Sequence, residues 1–417
     1  MSLDLYNKAT LGCRTIANVL KTLAMYLQQS APHHTTVRQW VIRNGCYSLE
    51  SPLEQADDWV AIGDLTTSMG KTKCLAILGV RMATVKNKEE GWTLTHNDVK
   101  VLGLHPTEKS DGAFVSKALE EAANRVGGVL AGVITDQGPD VVKGAKIFQK
   151  NHSETRVIYD IPHKLALVMK RAMKGDKKWD AYEQEIGKAR RLVHQTELAA
   201  LMPGKPRIKA RFMDIGESIR WGLKILGARE SGCLDSIPED RYNKYFGWVD
   251  SYEASLNEWE FMVNTVDMIK SAIREYGLSY EVYTYLMDFF YEMPIKEERL
   301  TEFVGVAMEA VSEEVQKLGD DELIASTEVL ESVFGKFKAI NEENHGTTGN
   351  VLGIAAIVGG ERTEEEVKKM LESCSVAKGW RWVKEKIGTS IAGARRQIAT
   401  AIKGTKSDMH EEVVKVA

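Results

Sequence analysis

At 417 residues the chain has length for two to four domains of roughly 100–200 residues each. Its 43% hydrophobic content is ordinary for a globular protein, and no run approaches the roughly eighteen apolar residues of a membrane span. A net charge of −4 does not mark a nucleic-acid binder, but a local basic surface can hold phosphates while the total stays negative. The cations cluster at Lys164–Lys178, Lys188–Arg191, Lys205–Arg211 and Lys378–Lys406, whereas acids dominate 296–331. The opening MSLDLYNKATLGC lacks the basic-then-apolar order of a signal peptide. Five scattered cysteines with no CxxC spacing argue against a disulfide framework and against a zinc module, so a reducing cytoplasm is expected.

Residues 12–49 read as two helices around a polar turn. Thr35 or Thr36 is placed to cap the second helix, and Asn44-Gly45 to end it. Val37, Trp40 and Val41 share its apolar face, which leaves Arg38, Gln39 and Arg43 outward as in a DNA-reading helix-turn-helix. An ordinary helical hairpin fits the same pattern. DDWVAIGDL, KCLAILGVRM and DVKVLGL are strand-like runs, the first two separated by the turn-like TTSMGKT. SDGAFVSKALEEAANRVGG reads as a helix closed by glycines, and GVLAGVITD as a strand buried on both faces. QGPDVVKGAKIFQKN is helical, TRVIYD a strand and IPHKLALVMKRAMKG helical again. Three strands, helix, strand, helix, strand, helix is the element order of an RNase H-like fold. Residues 176–321 read as almost wholly helical, DELIASTEVLESVFGKFKAI is a further helix, and a helical tail closes the chain.

The fold class expected is therefore α/β, an RNase H-like mixed sheet flanked by helices, with a large all-α insertion. The divisions expected are 1–52, a helix-turn-helix-like DNA-binding segment; 53–175, the first part of the catalytic core; 176–321, the insertion; 322–360, the second part of the core with the Glu-bearing helix; and 361–417, the tail.

Two-metal phosphodiester chemistry needs carboxylates, because Mg²⁺ is a hard cation that prefers oxygen. Asp64 is a charge on an otherwise apolar strand, and a metal would offset its burial; a bond to the Thr66-Thr67 turn is the alternative. Asp136 ends a strand, where sites collect in α/β sheets; capping the helix near Pro139 is its alternative role. Asp140 is better explained by the first turn of that helix. On the last core helix, Leu330, Val333, Phe334, Phe337 and Ile340 define the apolar stripe. At about 100° per residue Glu331 falls on its flank, whereas Glu328 falls nearly opposite. Lys338 shares that flank two turns on and can hold a phosphate; a solvated Glu and Lys is the plainer account. Phe212, Ile215, Ile219, Leu223 and Leu226 form another stripe, with Trp221 opposite and Arg220 and Lys224 nearby. Trp221 can stack on an unpaired base, or pack against another helix. His163 is placed either to contact the scissile phosphate or a catalytic acid, or only to complete a helix start capped by Asp160.

Taken together, GDLTTSMGKTKCLAILGV, GVITDQGPDV, YDIPHK and ESVFGKFK resemble bacterial insertion-sequence transposases of the DDE class, over about residues 57–175 and 322–358. The Glu-x6-Lys spacing of Glu331 and Lys338 is similar to the signature of several such families. The Asp-x2-His of Asp160 and His163 is similar to families with a helical insertion, including the hAT group. The family's Tyr-x2-Arg upstream of the Glu is absent, since Thr327 stands where the Arg would be. The resemblance implies Asp64, Asp136 and Glu331 as catalytic ligands of Mg²⁺, for which Mn²⁺ can substitute. It implies Trp221, His163 and Lys338 as DNA contacts, and cutting of transposon ends whose freed 3′-OH attacks target DNA with no covalent protein intermediate. Double-stranded DNA, a homodimer or higher oligomer, and a cytoplasmic, nucleoid-associated location are the implied context. An RNase H-like nuclease or resolvase that cleaves without joining, and a decayed DNA-binding relic, are the rival expectations.

Overall fold

The computed structural model describes residues 1–69, 72–204, 215–234, 237–342, 350–359, 362–388, 395, 397–400 and 402. The chain divides into two compact units, Met1–Ile158 with Thr327–Ala417, and Tyr159–Ser326. No helix among the described residues is long and apolar enough to cross a membrane. The basic run Lys205–Arg211, with Phe212, and the cations Arg396, Lys403 and Lys406 lie outside the described residues.

The first unit opens with α1 (Ser2–Asn7), α2 (Cys13–Leu27) and α3 (His34–Glu50). Its sheet is formed by β1 (Trp59–Met69), β2 (Thr72–Arg81), β3 (Lys100–Thr107), β4 (Gly132–Thr135) and β5 (Arg156–Tyr159). The intervening helices are α4 (Met82–Lys86), α5 (Gly112–Arg125) and α6 (Pro139–Asn151). The strand order is β3-β2-β1-β4-β5, with β2 antiparallel to both β1 and β3 and β4 parallel to β1. This is a mixed, open α/β sheet flanked by helices. The strand expectations hold in place and order, with two differences in extent. β1 continues through the supposed turn to Met69, because Thr66 still pairs with Cys74 and Met69 with Thr72. GVLAGVITD contributes only Gly132–Thr135, all of it buried.

Alternation along β1 decides what each face meets. Trp59 and Ala61 join Leu75, Ile77, Leu102 and Val133 in a core closed by Val115, Leu119 and Ala122 of α5 and by Val141, Ala145 and Phe148 of α6. Val60, Ile62, Asp64 and Thr66 face the other way. Onto that side of β1 comes α14, numbered after the helices of the second unit; it spans Glu328–Glu342. It starts later than its sequence pattern suggests, but Leu330, Val333, Phe334, Phe337 and Ile340 are buried as the stripe requires.

The second unit is helical: α7 (Ile161–Met173), α8 (Lys177–Val193), α9 (Ile215–Glu230), α10 (Glu239–Tyr245), α11 (Glu253–Tyr276), α12 (Tyr280–Glu292) and α13 (Glu298–Leu318), with 3-10 turns at Glu197–Leu201 and Gly247–Tyr252. Trp259 on α11 is fully buried beside Trp179 and Tyr182 of α8. The unit begins at Tyr159, earlier than residue 176, because α7 packs on α11 and α13. Lys164 of α7 is buried and donates to Glu314 Oε1 at 2.7 Å and to Glu313 Oε2 at 2.6 Å.

Returning to the first unit, α14 is followed by α15 (Leu352–Ile357), α16 (Glu364–Ser373) and α17 (Val376–Ile387). All three pack on α3, and this changes the reading of residues 1–52. The helix is capped by His33 and runs past Asn44-Gly45 to Glu50. Asn44 is fully buried; its Nδ2 donates to Ala356 O at 3.0 Å and its Oδ1 accepts from Arg362. Arg38 donates to Asn350 Oδ1 at 2.9 Å and lies 4.9 Å over the Trp380 ring. Arg43 donates to the carbonyls of Cys374, at 2.7 Å, and of Leu371. Of the three side chains expected to point outward only Gln39 is exposed; Arg38 and Arg43 hold α3 to distant segments of its own unit. Gly45 is there for proximity, since a Cβ would sit 2.0 Å from Leu352 O. Gly45→Ala is therefore expected to cost about 1–3 kcal/mol by forcing α3 and α15 apart, read as a lower urea midpoint at unchanged slope.

Candidate functional site

The site is positioned by β1, β4 and α14. In the parallel β1–β4 pair, Gly63 stands opposite Thr135, the last residue of β4. Asp64 and Asp136 are the next residues of the two segments, on backbones about 4.8 Å apart. Ile62 and Ile134 are partners in that pairing, and alternation then carries Asp64 onto the face where α14 packs. On α14, Glu331 lies in the first turn, its N–H donating to Thr327 O at 3.1 Å; Glu331 and Lys338 are exposed on the helix flank.

The electrostatics of Asp64 report this convergence. Burial pushes its carboxyl up to about 7, with repulsion from Asp136 next and from Glu331 after it. The Leu65 N–H, which donates to Oδ1 at 2.6 Å, and the Lys338 ammonium oppose the shift. Asp136, Glu331 and Lys338, all singled out from sequence, thus act on Asp64 in the folded chain. The oxygens of the three acids do not all lie within 4.8 Å of one another. An all-oxygen donor set fits a hard divalent cation such as Mg²⁺.

Two supports of the site carry weaker signals in the sequence. Asp136 does not cap α6 directly; its Oδ1 accepts from the N–H of Gly138, the N-cap residue, at 3.0 Å. A Cβ on Gly138 would stand 2.9 Å from that oxygen, so Asp-x-Gly was the legible clue. Asp140 lies in the first turn of α6, as expected. His96 meets α14 at two side chains. Lys336 Nζ, which can only donate, approaches His96 Nδ1 at 3.2 Å and also donates to Asn7 O at 3.1 Å. His96 Nε2 therefore carries the proton and donates to Ser332 Oγ at 3.1 Å, beside Glu331. Burial and Lys336 both lower the pKa of His96, which keeps the ring neutral for this role. No local pattern announces that pairing.

The other residues expected as DNA contacts have their own local surroundings. His163 has an exposed ring, and its backbone N–H donates to Asp160 Oδ1 at 3.0 Å, with Asp160 buried as the cap of α7. Trp221 is half-buried, not outward. Its Nε1 donates to Leu201 O at 2.8 Å, and its ring lies 5.9 Å from Trp248 and 6.2 Å from Phe246. The buried stripe of α9 runs through Ile215, Ile219, Gly222 and Ile225, which turns Trp221 toward those aromatics; Arg220 is engaged by Asp267. Arg38 and Arg43 are committed to internal bonds, as described above. Comparison with known proteins finds no family model that matches this chain and no curated protein similar to it.

Proposed function

We propose that this chain is a DDE-type DNA transposase with an RNase H-like core, in which Asp64, Asp136 and Glu331 hold Mg²⁺ for strand cutting and joining. The observation that carries the reading is the meeting of Asp64 and Asp136 at neighbouring positions of parallel strands, with Glu331 and Lys338 acting on Asp64 from α14. The strand order, with β2 antiparallel and a helix bearing the third acid on the opposite face from α5 and α6, supports the fold assignment. Bound there, Mg²⁺ would supply Lewis-acid polarisation of the phosphate and a lowered pKa for the attacking hydroxyl. The residues do the positioning. Asp64 is held by the Leu65 N–H and Asp136 by the Gly138 N–H, so each keeps oxygens free for a ligand. Lys338 offers a point charge to a DNA phosphate. A double-stranded DNA partner, an oligomer that joins two ends, and a nucleoid-associated location belong to the same proposal.

The test is Mg²⁺- or Mn²⁺-dependent cleavage and joining of DNA carrying the ends that flank the gene, compared with Asp136→Asn and Glu331→Gln. Cleavage with joining, lost in both variants, is the expected result. Cleavage without joining would make the protein a nuclease, and binding without cutting a relic. Gly138→Ala is expected to slow cleavage about 10- to 100-fold with little change in melting temperature, because it displaces a ligand's support and not the ligand. A wild-type rate in that variant would remove Asp136 from the site.

A further inference from the structure

Sequence spacing spoke against a cysteine-based metal module, but folding brings two of the five free cysteines together in the first unit. Cys46 lies on α3 and Cys374 is the C-cap of α16; both are buried. Glu50, one turn beyond Cys46 on the same helix face, adds a carboxylate at the solvent edge. The two sulfurs and a carboxylate oxygen all lie within 4.8 Å of one another, and this is the one such group of three among the described residues. The cluster is held from behind, where Arg43 Nε donates to the Cys374 carbonyl at 2.7 Å and fixes the backbone that carries the second sulfur. On the outer side Lys378 of α17 pairs with Glu50.

We propose that Cys46, Cys374 and Glu50 form a binding site for a thiophilic d¹⁰ divalent cation, zinc by its chemistry, separate from the carboxylate site on the sheet. Two sulfurs and one oxygen are the donors that zinc accepts and magnesium does not. Tetrahedral bonds of about 2.3 Å space two zinc-bound sulfurs ~3.8 Å apart, so the cluster closes onto the ion with movements of about an ångström. Binding forms two Zn–S bonds and one Zn–O bond. The two thiol protons leave to solvent, Glu50 exchanges Lys378 for the cation, and no atom changes oxidation state. The fourth position lies on the side of exposed Glu50, where water can fill it. The ion would add to the links between α3 and the junction of α16 and α17 already made by Arg43, by the Glu50–Lys378 pair and by Arg38 over Trp380.

The test uses the full chain, reduced and stripped of metal, titrated with Zn²⁺ against a chromophoric chelator and separately with Co²⁺. One equivalent of zinc is expected, with a near-ultraviolet thiolate-to-cobalt charge-transfer band in the Co²⁺ form. Cys46→Ser and Cys374→Ser are each expected to weaken binding by more than the roughly 10- to 100-fold that loss of an outer-shell partner costs. Glu50→Gln, a change at an exposed position that spares both thiols, is expected to weaken binding about 10-fold and to keep the charge-transfer band. Absence of stoichiometric binding, a Co²⁺ spectrum without thiolate bands, or unchanged affinity in all three variants would overturn the site. So would a Cys46–Cys374 disulfide in protein purified without reductant, if the reduced protein takes up no zinc. None of these readouts requires DNA, so the outcome is independent of the transposase reading.

Discussion

Replacing Asp64 with asparagine is expected to abolish the proposed Mg²⁺-dependent strand cleavage while making the metal-free protein more stable at neutral pH. The loss of activity should be about a thousandfold or more, because a metal's electrostatic contribution to such a transition state is several kcal/mol and each 1.36 kcal/mol is about tenfold. The gain in stability has the opposite sign for a physical reason. Burial, Asp136 and Glu331 raise the Asp64 carboxyl from 3.8 to about 7. Between those values the folded chain binds more protons at this group than the unfolded chain does. Stability therefore falls as pH rises from about 4 to about 7, and the full cost is present above 7. Asparagine removes that cost, which is on the order of a few kcal/mol. In EDTA, Asp64→Asn should melt several degrees above the parent at pH 8 and level with it at pH 4. Added Mg²⁺ should raise the parent's melting temperature, because a ligand of the folded state alone stabilises it, and should raise the variant's far less. Equal melting temperatures in EDTA at pH 8 would mean that Asp64 is not the strained member of a carboxylate cluster. A variant that still cuts DNA would remove it from the chemistry.

Glu314→Gln is expected to destabilise the second unit by about 3–5 kcal/mol. Glu314 is fully buried in α13; its Oε1 accepts from Lys164, and its Oε2 accepts from Lys317 at 2.6 Å and from the Tyr159 N–H at 2.8 Å. The amide keeps the shape but leaves the buried Lys164 ammonium with only the more exposed Glu313 as an anionic partner. Removing one partner of a buried pair is costly, whereas replacing both with apolar groups is often close to neutral. Lys164→Met with Glu314→Leu should thus recover part of the loss, since the Tyr159 N–H still lacks its acceptor, measured by urea unfolding followed through the tryptophans of α8 and α11. If Glu314→Gln costs less than about 1 kcal/mol, water reaches this cluster and the charges are not buried in solution.

The sheet was legible because strand signals are local. Alternation and apolar runs marked β1, β2, β3, β4 and β5 in order, and the ends of two apolar segments marked Asp64 and Asp136. Helical periodicity selected Glu331 over Glu328 and predicted the buried stripe of α14. The same method failed for α3 and α9, and for one cause. It finds the apolar stripe of a helix but not whether the remaining side chains meet solvent or another segment. Arg38 meets Asn350 and Trp380, Arg43 meets Cys374 and Leu371, and Trp221 meets Trp248 and Phe246. A helix covered on several sides reads in sequence as one with a free polar face when its covering contacts are arginine and asparagine hydrogen bonds.

By itself, then, the sequence determined the α/β class, the strand sequence and the helical middle of the chain, because each follows from spacing within one element, and it singled out the four charged residues proposed for the chemistry. Only the tertiary structure decided which distant groups share an environment. It buried Asp64 within electrostatic reach of Asp136 and Glu331 and raised its pKa, set His96 against α14, turned the arginines of α3 inward, and gathered Cys46, Glu50 and Cys374. Those pairings depend on loop closures and helix packing across the length of a unit, and no periodicity within a single element records them.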